Sequence, residues 1–291
     1  MTYRELLQKG EAILKDKEIA DYKIDAFLLM EYVFNINRTS YITKGFNDIS
    51  EEQSYIDRYL ECINLRSTHI PLQHITNEQE FMGLGFFVNE NVLIPRQDTE
   101  VLVEKTMDIV KSYECNSVRV LDMCTGSGCI AISLAKLLNL KDVSAVDLSN
   151  KALEVARKNA KFHKVDIEFF ESDLFTAITD RKFDIIVSNP PYIRPEVIRT
   201  LMEEVRDHEP MMALDGSEDG LKFYREITSN AKTALQDGGY LLYEIGYDQG
   251  NEVRAIMENN GFDDIEVIKD LAGLDRVVKG RKKIGGNNNV W

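Results

Sequence analysis

The stretch Phe183-Asp184-Ile185-Ile186-Val187-Ser188-Asn189-Pro190-Pro191-Tyr192 decides how this chain is read. Its opening run is apolar and β-branched, the composition of a strand buried on both faces, and two consecutive prolines forbid any continuation of its ladder. Asn189 therefore stands at the carboxyl end of a central strand, where open parallel sheets place their ligands. Proline fixes φ and lacks an N–H, so Pro190 and Pro191 hold a rigid turn whose carbonyls remain as acceptors. Beside them Asn189 brings one acceptor and two donors, and Tyr192 a flat ring. Two acceptors next to an aromatic face suit a planar group that carries an NH2, either a carboxamide or an adenine. A strand-ending turn without chemistry is the plainer reading of the same residues.

Outward from this stretch, strand and helix patterns alternate. Strands are predicted at 118–121, 143–146, 167–170, 183–187, 240–245, 265–268 and 276–279, and helices at 130–138, 150–162, 222–235 and 249–259. Such alternation predicts a doubly wound, mostly parallel α/β sheet. The first part of the chain has a different texture. Thr2-Tyr3-Arg4-Glu5 and Ser50-Glu51-Glu52-Gln53 have the form of capping boxes before helical apolar patterns, and Ile24, Phe27, Leu28, Tyr32 and Val33 recur at helical spacing between them. Residues 1–75 are therefore expected to form a separate helical domain that recognises the substrate. Residues 76–97 read as a β-hairpin linker with glycines at Gly83 and Gly85 and an apolar arm at 92–94. Asp98 or Thr99 caps the next helix or binds a ligand. The sheet domain is taken as 98–284, and 285–291 as a flexible tail.

Composition narrows the class. With 44% hydrophobic and 29% charged residues in 291, the chain has the make-up of a folded protein long enough for two cores. No apolar run approaches the ~20 residues of a membrane span and the N-terminus has no signal-peptide core, so a cytoplasmic location is the default expectation. Cys62, Cys115, Cys124 and Cys129 form no CxxC pair, and four histidines form no ligand cluster, which predicts reduced thiols and no metal. The net charge of −14 argues against a nucleic-acid partner, because phosphate binding draws on a basic stripe. The one dense basic group, Lys279, Arg281, Lys282 and Lys283, reads as a solvated tail.

The cofactor signal lies in Asp122-Met123-Cys124-Thr125-Gly126-Ser127-Gly128, between the first strand of the sheet and its helix. Glycines there let the backbone approach a ligand, and free amides at a helix N-terminus favour electron-rich groups. Asp147 ends the second strand, placed to accept from ribose hydroxyls. Gly126-Ser127-Gly128-Cys129-Ile130-Ala131 also satisfies G-x-G-x-x-A, so these residues alone leave NAD and S-adenosylmethionine both open. Three features favour S-adenosylmethionine: Asp122 as a partner for a methionine amino group, Ser172-Asp173-Leu174-Phe175 as a cradle for adenine, and a fourth strand that ends in Asn189 rather than in a hydride-transfer site.

The chain resembles the release factor glutamine methyltransferases (the PrmC/HemK family) across nearly its whole length. The likeness is carried by Pro71-Leu72-Gln73-His74-Ile75-Thr76, Val92-Leu93-Ile94-Pro95-Arg96 with Asp98-Thr99-Glu100, Thr125-Gly126-Ser127-Gly128, Ser188-Asn189-Pro190-Pro191-Tyr192-Ile193, Glu209-Pro210, Glu244-Ile245-Gly246 and Gly273-Leu274-Asp275-Arg276-Val277-Val278. The resemblance implies a Rossmann-like class I methyltransferase sheet. It also implies S-adenosylmethionine as cofactor and methylation of the glutamine in the Gly-Gly-Gln motif of peptide chain release factors. Asp122, Cys124, Thr125, Gly126, Ser127, Gly128, Asp147, Asp173, Leu174 and Asn189 fall at cofactor positions. Asn189, Pro190, Pro191 and Tyr192 fall at the substrate, with Phe81 closing the pocket. An adenine-N(6) nucleic-acid methyltransferase, an NAD-binding oxidoreductase and a non-catalytic cofactor-binding module are the alternatives. Met123 and Cys124 replace the usual Leu and Gly of the loop, Gln97 the usual Pro, and His74 and Asn77 the usual Tyr and Gly; since Gly126 and Gly128 remain, cofactor binding is expected to survive.

Overall fold

The computed structural model describes residues 1–113 and 117–284, so Cys115 and the segment 285–291 lie outside the described residues. The chain divides into two compact units. One is Met1–Glu78 together with Met202–His208; the other is Gln79–Leu201 and the chain from Glu209 on.

The first unit is helical: α1 (Tyr3–Asp16), α2 (Tyr22–Phe34), α3 (Arg38–Lys44), α4 (Gln53–Arg66) and α5 (Leu72–Thr76). The capping box at α1 forms as its residues dictate, with the Glu5 amide donating to Thr2 Oγ1 at 3.2 Å and the Thr2 amide to Glu5 Oε2 at 2.8 Å. The second expected box does not form. Ser50 instead donates its hydroxyl to Asp48 at 2.6 Å, and α4 begins after Glu52 without a side-chain cap. Leu6, Leu14, Leu29, Met30, Tyr59 and Ile63 make the core of the unit. Arg66 is buried between Asp25 at 2.7 Å and Glu204 at 2.6 Å, and that bond draws in residues which the division by sequence assigned to the sheet domain. No periodicity announces such a partner 138 residues away.

The second unit opens with the hairpin β1 (Glu78–Phe81) and β2 (Leu84–Phe87), then α6 (Glu100–Ser112). The expected arm at 92–94 is loop rather than strand. The α/β part follows as β3 (Val120–Met123), α7 (Cys129–Leu138), β4 (Val143–Asp147), α8 (Asn150–His163), β5 (Glu168–Glu171) and β6 (Phe183–Ser188). Three short helices come next, α9 (Pro195–Ile198), α10 (Glu203–Arg206, in the helical unit) and α11 (Met211–Leu214). Then come α12 (Lys222–Ala234), β7 (Leu235–Glu244), α13 (Gly250–Asn259), β8 (Phe262–Lys269) and β9 (Asp275–Lys282). Among the described residues seven strands form one sheet in the order β5-β4-β3-β6-β7-β9-β8, parallel except for β9, which runs antiparallel to both β7 and β8.

Residues alternate between two cores. Val120, Ala145, Ile185, Val187 and Leu242 pack on α6 and α7, while Leu121, Val146, Ile186, Leu241 and Tyr243 pack on α12 and α13. Both faces are buried, which is why the strands read as unbroken apolar runs. The order reverses between β3 and β6, each parallel to the other, with Met123 opposite Ser188. A crevice at their carboxyl ends is the expected ligand position. The basic group near the end is not a tail. Lys279 and Lys282 belong to β9 and pair with Glu266 at 2.8 Å and Asp237 at 3.2 Å. No helix among the described residues is long and apolar enough to cross a membrane.

Candidate active site

The loop after β3 is held from below. Asp122 Oδ2 accepts from the Thr125 hydroxyl at 2.6 Å and from the Ala131 amide at 3.1 Å, so one acid fixes both the loop and the first turn of α7. Burial pushes its carboxyl up to about 7, and its Oδ1 is enclosed with no hydrogen-bond partner among the described residues. Asp122 does not reach the cavity wall, which corrects its expected place beside a methionine amino group. Its task in this structure is to support the loop.

Gly126 sits at φ +56°, the left-handed region, with open space where a Cβ would stand. Gly128 is required for a different reason. A Cβ there would lie 2.9 Å from Ile132 and 3.1 Å from Ala156, so it serves close packing between α7 and α8 rather than approach to a ligand. Asn159 on α8 adds a clasp, donating to the carbonyls of Ser127 at 2.9 Å and Phe87 at 3.0 Å. Cys124 stands on the cavity wall at φ +63°, a backbone conformation in which glycine is unstrained. Burial raises its thiol well above the ordinary range, so it is a neutral lining group and not a nucleophile.

At the end of β4, Asp147 accepts from the amides of Gly126 at 2.8 Å and Ser149 at 2.9 Å, and burial raises its carboxyl. After β5, the Ser172 hydroxyl donates to the Leu174 carbonyl at 2.8 Å and accepts from the Ala177 amide at 2.9 Å, presenting Asp173 and Leu174 to the same space. That space is a cavity of about 350 Å³. Cys124, Thr125, Gly126, Ser127, Asp147, Asp173, Leu174, Asn189 and Pro191 all lie on its wall. Four strand ends are thus brought together.

Some expected members are elsewhere. Phe81 is 1% exposed and packs edge-on against Phe86 with ring centres 6.1 Å apart, so it belongs to the core and not to the pocket. Gly128 and Pro190 are off the wall, Pro190 being buried beneath it. Tyr192 is also off the wall, packed against the core under α12 and α13, with its hydroxyl 3.3 Å from Glu244 Oε1. Among the described residues no group of three or more His, Cys, Asp or Glu side chains is arranged to hold a metal.

Two comparisons bear on these residues. Residues 5–76 match the family model described as the PrmC N-terminal domain, and residues 97–207 match the Methyltransferase small domain. The release factor glutamine methyltransferase of Clostridium acetobutylicum is 42% identical over 282 residues, covering 96% of this chain and 98% of that protein. That of Clostridium botulinum is 41% identical over 286 residues, covering 97% and 100%. The chain belongs to the release factor glutamine methyltransferase family.

Its sheet has the fold of class I S-adenosylmethionine-dependent methyltransferases. Among solved structures a methyltransferase from Pyrococcus furiosus matches with a TM-score of 0.51 at 17% identity, over 70% of this chain and 91% of that one, a likeness of fold. The cofactor of a release factor glutamine methyltransferase is S-adenosylmethionine, and the residues on the wall fit it. The open space over Gly126 admits a ligand against backbone, the α7 N-terminus has no side-chain cap to block it, and carboxylates face the space from β4 and β5. The NAD-binding alternative falls with the family.

The fold also gives partners to residues outside the strand ends, Asp98 and Thr99 among them, which the sequence left between a helix cap and a ligand. Thr99 occupies the N-cap position of α6 without capping it; its hydroxyl instead accepts from Asn189 Nδ2 at 3.4 Å. Asp98 pairs with Arg276 at 3.1 Å, and Arg276 bonds Asp270 at 3.0 Å. Glu244 ends β7 with its carboxyl pushed up to about 7 by burial, while Thr99, Arg276 and Tyr192 act in favour of its charge. Arg96 reaches the buried Glu209 at 2.6 Å, just before Pro210 and Ala213 join the cavity wall. Arg96, Asp98, Thr99, Glu209, Glu244 and Arg276 lie in segments that carry the family likeness, and only the fold pairs them.

Proposed function

We propose that this protein transfers the methyl group of S-adenosylmethionine to the side-chain amide nitrogen of the glutamine in the Gly-Gly-Gln motif of peptide chain release factors, in the cytoplasm. The observation that supports it most is the placement of Asn189, at the end of β6, on the wall of the cavity that also holds Gly126, Asp147 and Asp173. Asp147, the Cys124–Gly128 loop and the Asp173-Leu174 turn hold the cofactor. Its contribution when bound is an electrophilic methyl on a sulfonium sulfur.

The chain supplies position. A carboxamide nitrogen is a poor nucleophile because its lone pair is delocalised into the carbonyl. Asn189 Oδ1 accepts one of its hydrogens, which raises electron density on nitrogen and aims it at the methyl, while Pro190, buried beneath the wall, keeps the turn that holds Asn189 there. The N–CH3 bond forms as the S–CH3 bond breaks, its electron pair remaining on sulfur. The proton then leaves the strongly acidic N-alkylated amide for water, so no dedicated base is needed. Tyr192, tied to Glu244, steadies the turn from behind. The helical unit recognises the folded release factor, since every cofactor-type residue lies after Asp122 in sequence.

An adenine-N(6) activity requires the same tetrapeptide and also a basic groove, which a net charge of −14 disfavours. The deciding experiment offers labelled S-adenosylmethionine with release factor in one reaction and DNA in another, followed by mass spectrometry of the Gly-Gly-Gln peptide. Label on the glutamine supports the proposal. Label on DNA alone overturns it.

A further inference from the structure

Gln249 stands at the N-cap position of α13 without capping the helix, and its side chain turns inward, 6% exposed, toward the turn that follows β6. Its Nε2 donates to the Tyr192 carbonyl at 3.1 Å and to the Gly220 carbonyl at 3.2 Å. Its Oε1 accepts from the Gly246 amide at 2.9 Å and from the Tyr224 hydroxyl at 3.4 Å. Carbonyls only accept and an amide N–H only donates, so the side chain has one orientation. The loop that it ties to Tyr192 is built for close approach. A Cβ on Gly216 would lie 2.6 Å from the Tyr192 backbone, and one on Gly220, at φ +72°, would lie 2.4 Å from the Tyr192 carbonyl oxygen. Ile193 completes the seam, donating to the Leu214 carbonyl at 2.9 Å and accepting from the Gly216 amide at 2.9 Å. Asp215 and Ser217 of this loop lie on the cavity wall together with Asn189 and Pro191, whereas Gln249 itself is off it.

Between Asn189 and Tyr192 stand two prolines whose φ angles are fixed, so the turn has few ways to absorb a shift at its far end. Displacement at the Tyr192 carbonyl is passed on to Asn189. Building on the glutamine-methylating reading above, we propose that Gln249 is a positioning residue for methyl transfer: by clasping the Tyr192 and Gly220 carbonyls to the chain after β7, it fixes where Asn189 Oδ1 meets the substrate amide. A displacement of about 1 Å at a reacting group costs about a hundredfold in rate, so a clasp with no atom in the cavity acts on turnover all the same. Cofactor binding is spared, because Gly126 and Asp147 are fixed at the ends of β3 and β4 by bonds in which Gln249 has no part.

The test sets Gln249→Met, Gln249→Glu and Gly220→Ala beside the full-length parent, with Tyr224→Phe as the control for a loss of stability alone. Methionine keeps the length and donates nothing. Glutamate keeps the bond from Gly246 but, charged, sets an oxygen against two carbonyls and, protonated, donates to one of them at most. Alanine at 220 presses on the Tyr192 carbonyl directly. Tyr224→Phe gives up the hydroxyl's bonds to Gln249 Oε1 and to the Glu244 carbonyl, and leaves both Nε2 bonds in place. Each variant is assayed for kcat and KM on release factor, for S-adenosylmethionine affinity by calorimetry and for melting temperature. The Asn189 side-chain 1H–15N signals, assigned by their loss in Asn189→Ala, report the turn itself. The three clasp variants are expected to lower kcat by about tenfold to a hundredfold with cofactor affinity held within about threefold, and to shift the Asn189 signals. Tyr224→Phe is expected to melt lower while its kcat stays within about threefold of the parent and its Asn189 signals stay in place. Unmoved Asn189 signals with kcat within about threefold of the parent in the Gln249 variants overturn the proposal. So does a Tyr224→Phe variant that loses as much turnover as Gln249→Met. Should Gln249→Met fail to fold, Gln249→Glu and Gly220→Ala carry the same comparison. If the parent fails to methylate release factor while the Asn189 signals respond to Gln249→Glu and not to Tyr224→Phe, the clasp stands and the assigned substrate falls.

Discussion

Asp147 Oδ2 accepts the backbone amide of Gly126 at 2.8 Å, so the acid that ends β4 also fixes the glycine loop that follows β3. Two features that look independent in the sequence are one unit in the fold. Asp147 Oδ1 is occupied as well, by the Ser149 amide at 2.9 Å, and each carboxylate oxygen retains a lone pair for a ribose hydroxyl.

Replacing Asp147 by Ala is therefore expected to weaken S-adenosylmethionine binding by about one to two decades, since it removes charge-assisted bonds and frees the loop. Asn offers no rescue. It has one acceptor oxygen for two amide donors and must turn its NH2 toward one of them. Calorimetric titration of the parent and both variants measures this. An Asn variant that binds like the parent means that the Gly126 and Ser149 bonds do not organise the site.

A second expectation concerns stability and pH. Burial raises Asp122 and Glu244 to about 7 from ordinary values of 3.8 and 4.5. Their folded forms hold protons that the unfolded chain has already released between those limits, so the fold binds more protons there and loses stability as pH rises. The contribution of these two groups declines from about pH 4 to about pH 7 and levels off above it. Asp122→Asn removes one of them. Its added NH2 is buried, so the melting temperature falls at every pH, but its decline across that window is shallower than in the parent. A steeper decline in the variant contradicts the sign assigned here.

A third concerns Phe81, where sequence and structure part. The family resemblance implies that Phe81 closes the pocket, yet Phe81 is packed on Phe86 in the core, and the His163 ring lies 5.1 Å from Phe86. Phe81→Ala is expected to cost about 3–5 kcal/mol of stability, as for other buried aromatics. Cofactor affinity measured well below the melting temperature should stay within about threefold of the parent. A large loss of affinity with little loss of stability returns Phe81 to the pocket.

What was legible follows from the range of the interactions. Sheet strands and helices are written locally in period and composition, so Phe183–Ser188, Val143–Asp147 and Asn150–His163 were all foreseen to within a residue or two. Strand ends could be read as a site because a parallel sheet gathers them. Pairings across long sequence separation were not legible: Arg66 with Glu204, Arg96 with Glu209, Arg276 with Asp98. The same limit explains Asp98 and Thr99, which look like caps by position. Their chemistry is taken by β9 and by Asn189 instead.

Asn189 carries the sharpest expectation. In the proposed reaction its Oδ1 accepts one hydrogen of the substrate amide at the point of methyl transfer, a bond that strengthens as nitrogen becomes positive. Asn189→Ala removes it and frees the glutamine NH2 to rotate away from the methyl. A bond of this kind is worth roughly 3–4 kcal/mol in the transition state, or about two to three decades in rate. The loss should fall on kcat, while S-adenosylmethionine affinity, held by Asp147 and the Gly126 loop, weakens less. Asn189→Asp keeps an acceptor oxygen at the cavity and gives up the donor to Thr99, so it should retain more activity than Ala. Single-turnover methylation of intact release factor, with cofactor binding measured in parallel, separates the two effects. An Ala variant that methylates within about threefold of the parent would show the stretch to be a structural turn and nothing more.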